Sequence, residues 1–461
     1  MKLKGYAQVL LVSVILMFVS FSCSKRITHA LAPSDLTGTP AVTNTRTTTV
    51  VIYNSPTVTW TRTKTPTLVS TSTTTLVLTA TATYTASPVP TITTTPIKND
   101  SKIQYYGRWD FTNPAAPQNG WGTVYMLTKF EGTSISINLS GWDSWYAYAI
   151  DDTVTASNFT KFEVRNDYDS NHAVATQTPI RITGLADTTH TIIVVRRTEG
   201  SGGINVFKGF GLDYGKVLVD PGTKTTRKIE IIGDSITCGS VNEYQAAVPT
   251  PDAYCPWGTC IQNGSMTYGV QIARHYGAEW RTISRGGLGM FRNCNGCTPM
   301  NTITDIYPNT YFEMSPSAGS TKWNTSSWQP DIIILALGTN DASVGDLSLV
   351  QSDFENAYSN FLTYLRAQYA SAQIVCVEPL PNWVGTKAGQ YISNVVTAKN
   401  SGGDANIYYV AINNPAITTG FPLNANEYAG DNTHPLIPGH TKLANALETW
   451  IDANLLTKLG W

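Results

Sequence analysis

Lys228-Ile229-Glu230-Ile231-Ile232-Gly233-Asp234-Ser235-Ile236-Thr237 decides how the second half of the chain folds. The run Ile229 to Ile232 is short, isoleucine-rich and closed by glycine, as expected of a strand buried on both faces. Downstream the pattern recurs at Trp280–Ile283, Ile332–Leu337, Ile374–Val377 and Ile407–Ile412. Between and after these runs lie stretches of helical period, Met266–Tyr276, Phe354–Tyr369 and Thr441–Leu455. Residues 226–461 therefore read as an α/β domain, an open doubly wound parallel sheet with helices on both faces.

Reactive groups in such sheets gather at the carboxyl ends of the strands. The first strand runs into Gly233-Asp234-Ser235-Ile236-Thr237 and the second into Ser284-Arg285-Gly286-Gly287-Leu288-Gly289. The third runs into Gly338-Thr339-Asn340-Asp341, and Asp431-Asn432-Thr433-His434-Pro435 precedes the last helix. All four clusters are expected on one rim. Serine is a poor nucleophile until a base takes its proton, and His434 is the candidate base for Ser235. Asp431, three residues earlier, can accept from Nδ1 and fix the imidazole tautomer. The N–H groups of Ser235 and Gly287 and the amide of Asn340 are candidate oxyanion donors. Taken singly, each cluster has a structural reading: a turn glycine, a helix-capping Asn340, an ordinary Asp-x-x-His. Their joint order along the chain is what points to chemistry. Asp234 and Asp341 are expected to brace loops, and His440 to face solvent or the helix start.

Working back toward the N-terminus, residues 99–219 carry short strand-like segments with no helical period. Thr133-Ser134-Ile135-Ser136-Ile137-Asn138-Leu139 alternates, and Thr191 to Val195 is wholly β-branched. This texture indicates an all-β sandwich. Trp109, Trp121, Trp142 and Trp145 are candidates for sugar contact, although core or interface filling is the favoured role for each. Residues 24–98 include a Thr/Ser/Pro tract that cannot bury enough apolar surface to order itself, so a disordered stalk is expected.

Residues 1–23 read as an export signal: Lys2 and Lys4, then an apolar run too short for a comfortable span. Cys23 closes it as in lipoprotein signals, although Phe21 is bulky for that pattern. Cleavage after Ala30-Leu31-Ala32 and an uncleaved anchor are the alternatives, and all three place the chain outside the membrane. Six cysteines follow Cys23. In an exported chain Cys255, Cys260, Cys294 and Cys297 are expected in disulfides rather than as thiolates on zinc, and Cys376 as a buried free thiol. The formal net charge is −1, with 12 Trp and 23 Tyr among 461 residues. A nucleic-acid partner is not expected, since phosphate neutralisation needs a basic face. Stacking on sugar rings needs no charge and suits this composition.

The four clusters together resemble the signature blocks of the SGNH (GDSL-like) hydrolases. Gly233-Asp234-Ser235-Ile236-Thr237-Cys238-Gly239, Tyr268-Gly269 and Gly287-Leu288-Gly289-Met290-Phe291-Arg292-Asn293 are similar to carbohydrate esterase family 2. So, upstream, are Gly107-Arg108-Trp109, Lys129 to Ser134, His190-Thr191-Ile192 and Arg197-Thr198-Glu199, which resemble that family's jelly roll. The resemblance spans residues 103–461. It implies a jelly-roll sandwich ahead of an SGNH domain and a serine esterase removing O-acetyl groups from xylan or a related plant polysaccharide. Ser235 would be the nucleophile, His434 the base, and Gly287 and Asn340 oxyanion donors. It implies no metal or other cofactor, and an acetylated polysaccharide as partner of a monomer. Membrane attachment is expected only through a lipid on Cys23. Some family members use a Ser–His dyad with a backbone carbonyl behind the histidine, so the role of Asp431 stays open. Trp383, after the fourth strand, is the candidate sugar-site aromatic, with loop packing as the alternative. An SGNH esterase on another acetylated glycan or a lipid, and a non-catalytic glycan-binding protein, are the competing readings.

Overall fold

The computed structural model describes residues 100–461 except 142–143, 153–158, 165–178, 201–202, 246–255, 296, 298–300, 313–320, 346, 381–384 and 413–422. The export signal, the stalk, Trp142, Cys255 and Trp383 lie outside the described residues. All described residues belong to one compact unit, Pro88–Trp461.

Five strands form the parallel sheet, in the order Glu279–Ser284, Lys228–Gly233, Ile332–Ala336, Gln373–Val377, Ile407–Val410. Every pairing is parallel. Ile229, Ile231, Ile232 and Ile332 to Leu335 are fully buried, which explains why these runs do not alternate. Helices Tyr268–His275, Gln351–Gln368, Gly385–Ser401 and Ile437–Asn454 make or follow the crossovers. The last helix begins four residues before the expected Thr441, because Pro438 sits in its first turn, where a missing N–H leaves no helical bond unmade. The second strand lies on one side of the first and the third on the other. The strand order therefore reverses between Lys228–Gly233 and Ile332–Ala336, where a doubly wound sheet opens its crevice.

The upstream region is two antiparallel sheets. Strands Gln104–Tyr106, Tyr125–Gly132, Thr188–Arg196, Ser144–Ile150 and Thr160–Val164 make one, with Leu218–Val219 on Tyr125–Gly132. Trp109–Asp110, Gln118–Asn119, Asn205–Leu212, Ile135–Ser140 and Ile180–Ile182 make the other. Met126, Phe130, Ile192, Val194, Phe207 and Phe210 fill the space between them. Ile193 and Val195 point the opposite way, into a core shared with Ile231, Tyr268 and Trp280 of the α/β domain. The β-branched run Thr191 to Val195 is thus a strand with two buried faces. Trp109 and Trp121 are core residues, 4% and 0% exposed, which is the favoured packing role and removes them as candidates for sugar contact.

Across the seam Tyr125 stacks on Trp280 at 4.0 Å between centroids, and the Trp280 indole N–H donates to the Thr123 carbonyl at 3.2 Å. Arg108 of the sandwich is driven into the α/β domain. Its guanidinium lies 3.5 Å from the Glu230 carboxylate with both side chains at 0% exposure. It donates to the carbonyls of Asn309, at 2.8 Å, and Tyr307, and lies 4.7 Å from the Tyr307 ring centroid.

Candidate active site

The first strand delivers Ser235 through a turn that only glycine can make at its start. A Cβ on Gly233 would lie 2.0 Å from Thr237 Oγ1. The Asp234 carboxylate accepts from the Ile236 N–H at 3.0 Å and caps the single helical turn Ser235–Cys238. Burial pushes the Asp234 pKa up to about 6 against that bond.

His434 arrives from the other end of the chain. Its loop closes on itself through Ala429 N–H to the His434 carbonyl at 2.9 Å, with Asn432 at φ 53°. One Asp431 oxygen accepts from the N–H groups of Thr433 and His434, both at 2.9 Å, and so shapes the loop. The other lies 2.6 Å from His434 Nδ1, and His434 Nε2 lies 2.8 Å from Ser235 Oγ. Burial works to raise the Asp431 pKa, but these bonds from His434 and Thr433 outweigh it and hold the carboxyl below the ordinary aspartate value. The charged form persists, and it is the form that can stabilise an imidazolium.

The second strand feeds the loop Arg285–Asn293, whose N–H groups are nearly all spoken for. Gly286 N–H donates to Glu199 Oε2 at 2.6 Å, Leu288 to the Arg285 carbonyl at 3.4 Å, and Gly289 to Asn293 Oδ1 at 3.2 Å. Met290, Phe291 and Arg292 all donate to the Asp341 carboxylate, at 2.9, 2.7 and 2.9 Å. From Arg285 to Arg292, the Gly287 N–H is the one with no acceptor among the described residues. Gly287 sits at φ +80°, and a Cβ there would meet Cys297 Sγ at 2.8 Å. Gly286 lies against the nucleophile: a Cβ on it would be 3.5 Å from Ser235 Cβ. Asn340, one turn past the third strand, donates from Nδ2 to the Leu288 carbonyl at 2.8 Å. An amide nitrogen carries two hydrogens, so one remains for a substrate oxygen.

Ser235, His434, Asp431, Gly287 and Asn340 are thus brought together on one rim, and Asp234 and Asp341 brace its loops. His440 differs from expectation. It stands in the first turn of the last helix but at 0% exposure, stacked on Tyr268 and accepting at Nδ1 from the Tyr268 N–H at 3.4 Å. Burial, helped by nearby His434, lowers its pKa to about 3, so it is neutral. Cys294 and Cys297 form a disulfide, Cys260 is disulfide-bonded, and Cys238 and Cys376 are buried free thiols. Among the described residues no group of three or more His, Cys, Asp or Glu is arranged to hold a metal. Two residues at the rim were not read from the sequence, Glu199 and Arg285. Glu199 stands in a quoted block, Arg197-Thr198-Glu199, but nothing local ties it to a loop more than eighty residues on.

A parallel sheet of this order, with a serine, a histidine and an aspartate in contact beyond its strand ends, has the groups that serine acyl-transfer chemistry requires. The GDSL-like Lipase/Acylhydrolase family model matches residues 229–447, and the Carbohydrate esterase 2 N-terminal model matches residues 105–221. Along both matched segments the chain is similar to carbohydrate esterase family 2. It is 31% identical over 370 residues to the Cellulase/esterase CelE of Acetivibrio thermocellus, across 80% of this chain and 41% of that protein. The chain thus spans about two fifths of the length of that relative. To an Acetylxylan esterase / glucomannan deacetylase of Cellvibrio japonicus it is 25% identical, across 77% of this chain and 89% of the other. A solved family two carbohydrate esterase from Clostridium thermocellum in complex with cellohexaose superposes with a TM-score of 0.62 at 29% identity. That match covers 78% of this chain and 99% of that one.

Proposed function

We propose that this protein is a serine esterase that removes O-acetyl groups from xylan or a related plant cell-wall polysaccharide through an acetyl-serine intermediate. The contact series Asp431–His434–Ser235, at 2.6 and 2.8 Å, carries the reading. Ser235 Oγ attacks the acetyl carbonyl carbon while His434 Nε2 takes its proton. The oxyanion is received by the N–H groups of Ser235 and Gly287 and the second N–H of Asn340. As the tetrahedral intermediate collapses, the imidazolium returns the proton to the departing sugar oxygen. Water, deprotonated by the same histidine, then releases acetate and restores Ser235. Asp431 acts as the triad acid here, in place of the backbone carbonyl of the family's dyad enzymes.

The relatives' names favour acetyl groups on plant glycans over lipid esters. Cellohexaose in a relative's structure supports a second reading, in which the same cleft also grips unsubstituted glucan chains. Residues 1–23 would export the chain, with a lipid on Cys23 or release after cleavage, and residues 24–98 would space a monomeric head from the surface. Trp383 would contribute an aromatic to the sugar site.

Ser235→Ala removes the hydroxyl that must carry the acetyl group. Acetate release from acetylated xylan, acetylated glucomannan and an aryl acetate should all vanish, with circular dichroism unchanged. Wild-type rates in that variant would remove Ser235 from the mechanism, and a preference for long-chain lipid esters would overturn the substrate class.

A further inference from the structure

The site just described is not made by the α/β domain alone. Glu199 belongs to the sandwich, three residues past the strand Thr188–Arg196, and is 9% exposed. Its backbone is pinned from both sides. Arg196 Nη2 donates to its carbonyl at 3.0 Å, and its N–H donates to Gln262 Oε1 at 3.2 Å. The next residue, Gly200, is packed so tightly that a Cβ would meet Phe312 Cβ at 2.4 Å. The Glu199 carboxylate then crosses the seam. Oε1 accepts from Arg285 Nη1 at 2.7 Å and Oε2 from the Gly286 N–H at 2.6 Å. Arg285 Nη1 also donates to the Gly286 carbonyl, at 2.8 Å.

That last bond matters because of what a peptide unit is. The Gly286 C=O and the Gly287 N–H belong to the same planar unit, and in a trans peptide they point in opposite directions. Fixing the oxygen on Arg285 therefore fixes the direction of the Gly287 N–H. A peptide between two glycines is the one least restrained by side chains, since neither neighbour carries a Cβ. If that plane turned over, a carbonyl oxygen would face the oxyanion and repel it.

We propose that Glu199 and Arg285 form a clamp, supplied by the sandwich, that orients the Gly287 N–H as an oxyanion donor. Glu199 is a positioning residue: it holds Arg285 and the Gly286 N–H, and through them the donor peptide. The proposal rests on the reading of Gly287 as an oxyanion donor. It gives the sandwich a part in turnover, in addition to any part in gripping glycan.

The test is steady-state hydrolysis of an aryl acetate by full-length wild type, Glu199→Gln, Arg285→Lys and Ser235→Ala. Rates are normalised to active sites titrated with a fluorophosphonate, or to protein for Ser235→Ala. Inhibition by a short alkyl boronic acid, which forms a tetrahedral serine adduct, is measured alongside. Losing one oxyanion donor costs a hundredfold or more, so Glu199→Gln should lower kcat by roughly a hundredfold. Boronate affinity should weaken in step with kcat, and KM should stay within about twofold. A merely structural role would lower melting temperature and soluble yield but leave kcat per titrated site and boronate affinity alone, and that result overturns the clamp. Should Glu199→Gln not fold, Arg285→Lys carries the same test, since lysine keeps the charge but not the guanidinium geometry. Wild-type kcat in a folded Arg285→Lys would be equally fatal. Activity in Ser235→Ala would instead sink the underlying reading of the site, whatever the clamp variants do.

Discussion

The rim of the parallel sheet and its seam with the sandwich both place a carboxylate against a cationic or polar partner, but in opposite surroundings. At the rim, Asp431 keeps 42% of its side chain exposed and His434 keeps 21%. At the seam, Arg108 and Glu230 are both at 0%. A wet carboxylate can stabilise a charge that appears during a reaction, because the loop around it has room to accept substrate and solvent. A dry ion pair cannot change its charge without large cost, and can only hold two layers in register. Breaking the first should therefore cost rate and spare stability. Breaking the second should do the reverse.

The largest expected effect is at the rim. Replacing a triad acid by its amide elsewhere costs about four orders of magnitude in turnover, because the imidazole is held in the wrong tautomer. Asp431→Asn should lose about that much on an aryl acetate while melting within a few degrees of wild type. A folded variant losing less than about tenfold, roughly 1.4 kcal/mol of transition-state stabilisation, would return His434 to a dyad held by a carbonyl.

Next comes the seam. Arg108→Ala leaves the Glu230 carboxylate buried with the Tyr307 hydroxyl, at 2.6 Å, still donating to it. It also removes the cation beside the Tyr307 ring and the donor to two carbonyls. Removing one partner of a buried pair costs about 3–5 kcal/mol, and denaturant unfolding should show a loss of that size. Activity per folded molecule should stay near wild type, because Arg108 touches nothing on the rim. A stable Arg108→Ala protein with impaired turnover would show that the seam and the rim are not separable in this way.

The two regions also differ in how well they can be read without a structure. Ser235, Asp431, His434, Gly287 and Asn340 are legible because each lies in a short block fixed to a strand end or to the last helix, and the strands themselves are apolar runs. The seam, and the contacts that cross it to reach the rim, are built from pairs such as Arg108 with Glu230 and Glu199 with Gly286, which share no local pattern. One trace of it was present in the sequence. Thr191 to Val195 fails to alternate, and in an antiparallel sheet an unbroken β-branched run means a second buried face. That face is where Ile193 and Val195 meet the α/β domain. Trp109 and Trp121 are core residues, as favoured, but the sequence could not exclude sugar contact: a packed aromatic and an aromatic at a sugar site differ only in what lies above them.

The smallest effect comes from His440, which lies beneath the rim yet is as dry as the seam. Its folded pKa of about 3 lies below the ordinary value of 6.5, because burial penalises the charged ring. In the unfolded chain the ring takes a proton as pH falls through about 6.5, whereas the folded protein cannot accept one until about pH 3. The unfolded state binds more protons throughout that window, so stability is full above it and is lost as pH drops. His440→Asn keeps an acceptor for the Tyr268 N–H and cannot titrate. The stability lost between pH 7 and pH 4.5 should then be smaller in the variant by roughly 2.5 kcal/mol, taking 1.36 kcal/mol per pKa unit. Comparing each protein with itself at two pH values cancels the constant cost of the lost Tyr268 stacking. Equal acid losses in the two would mean that His440 takes up its proton in the folded state. The dry layer would then begin deeper than the first turn of the last helix.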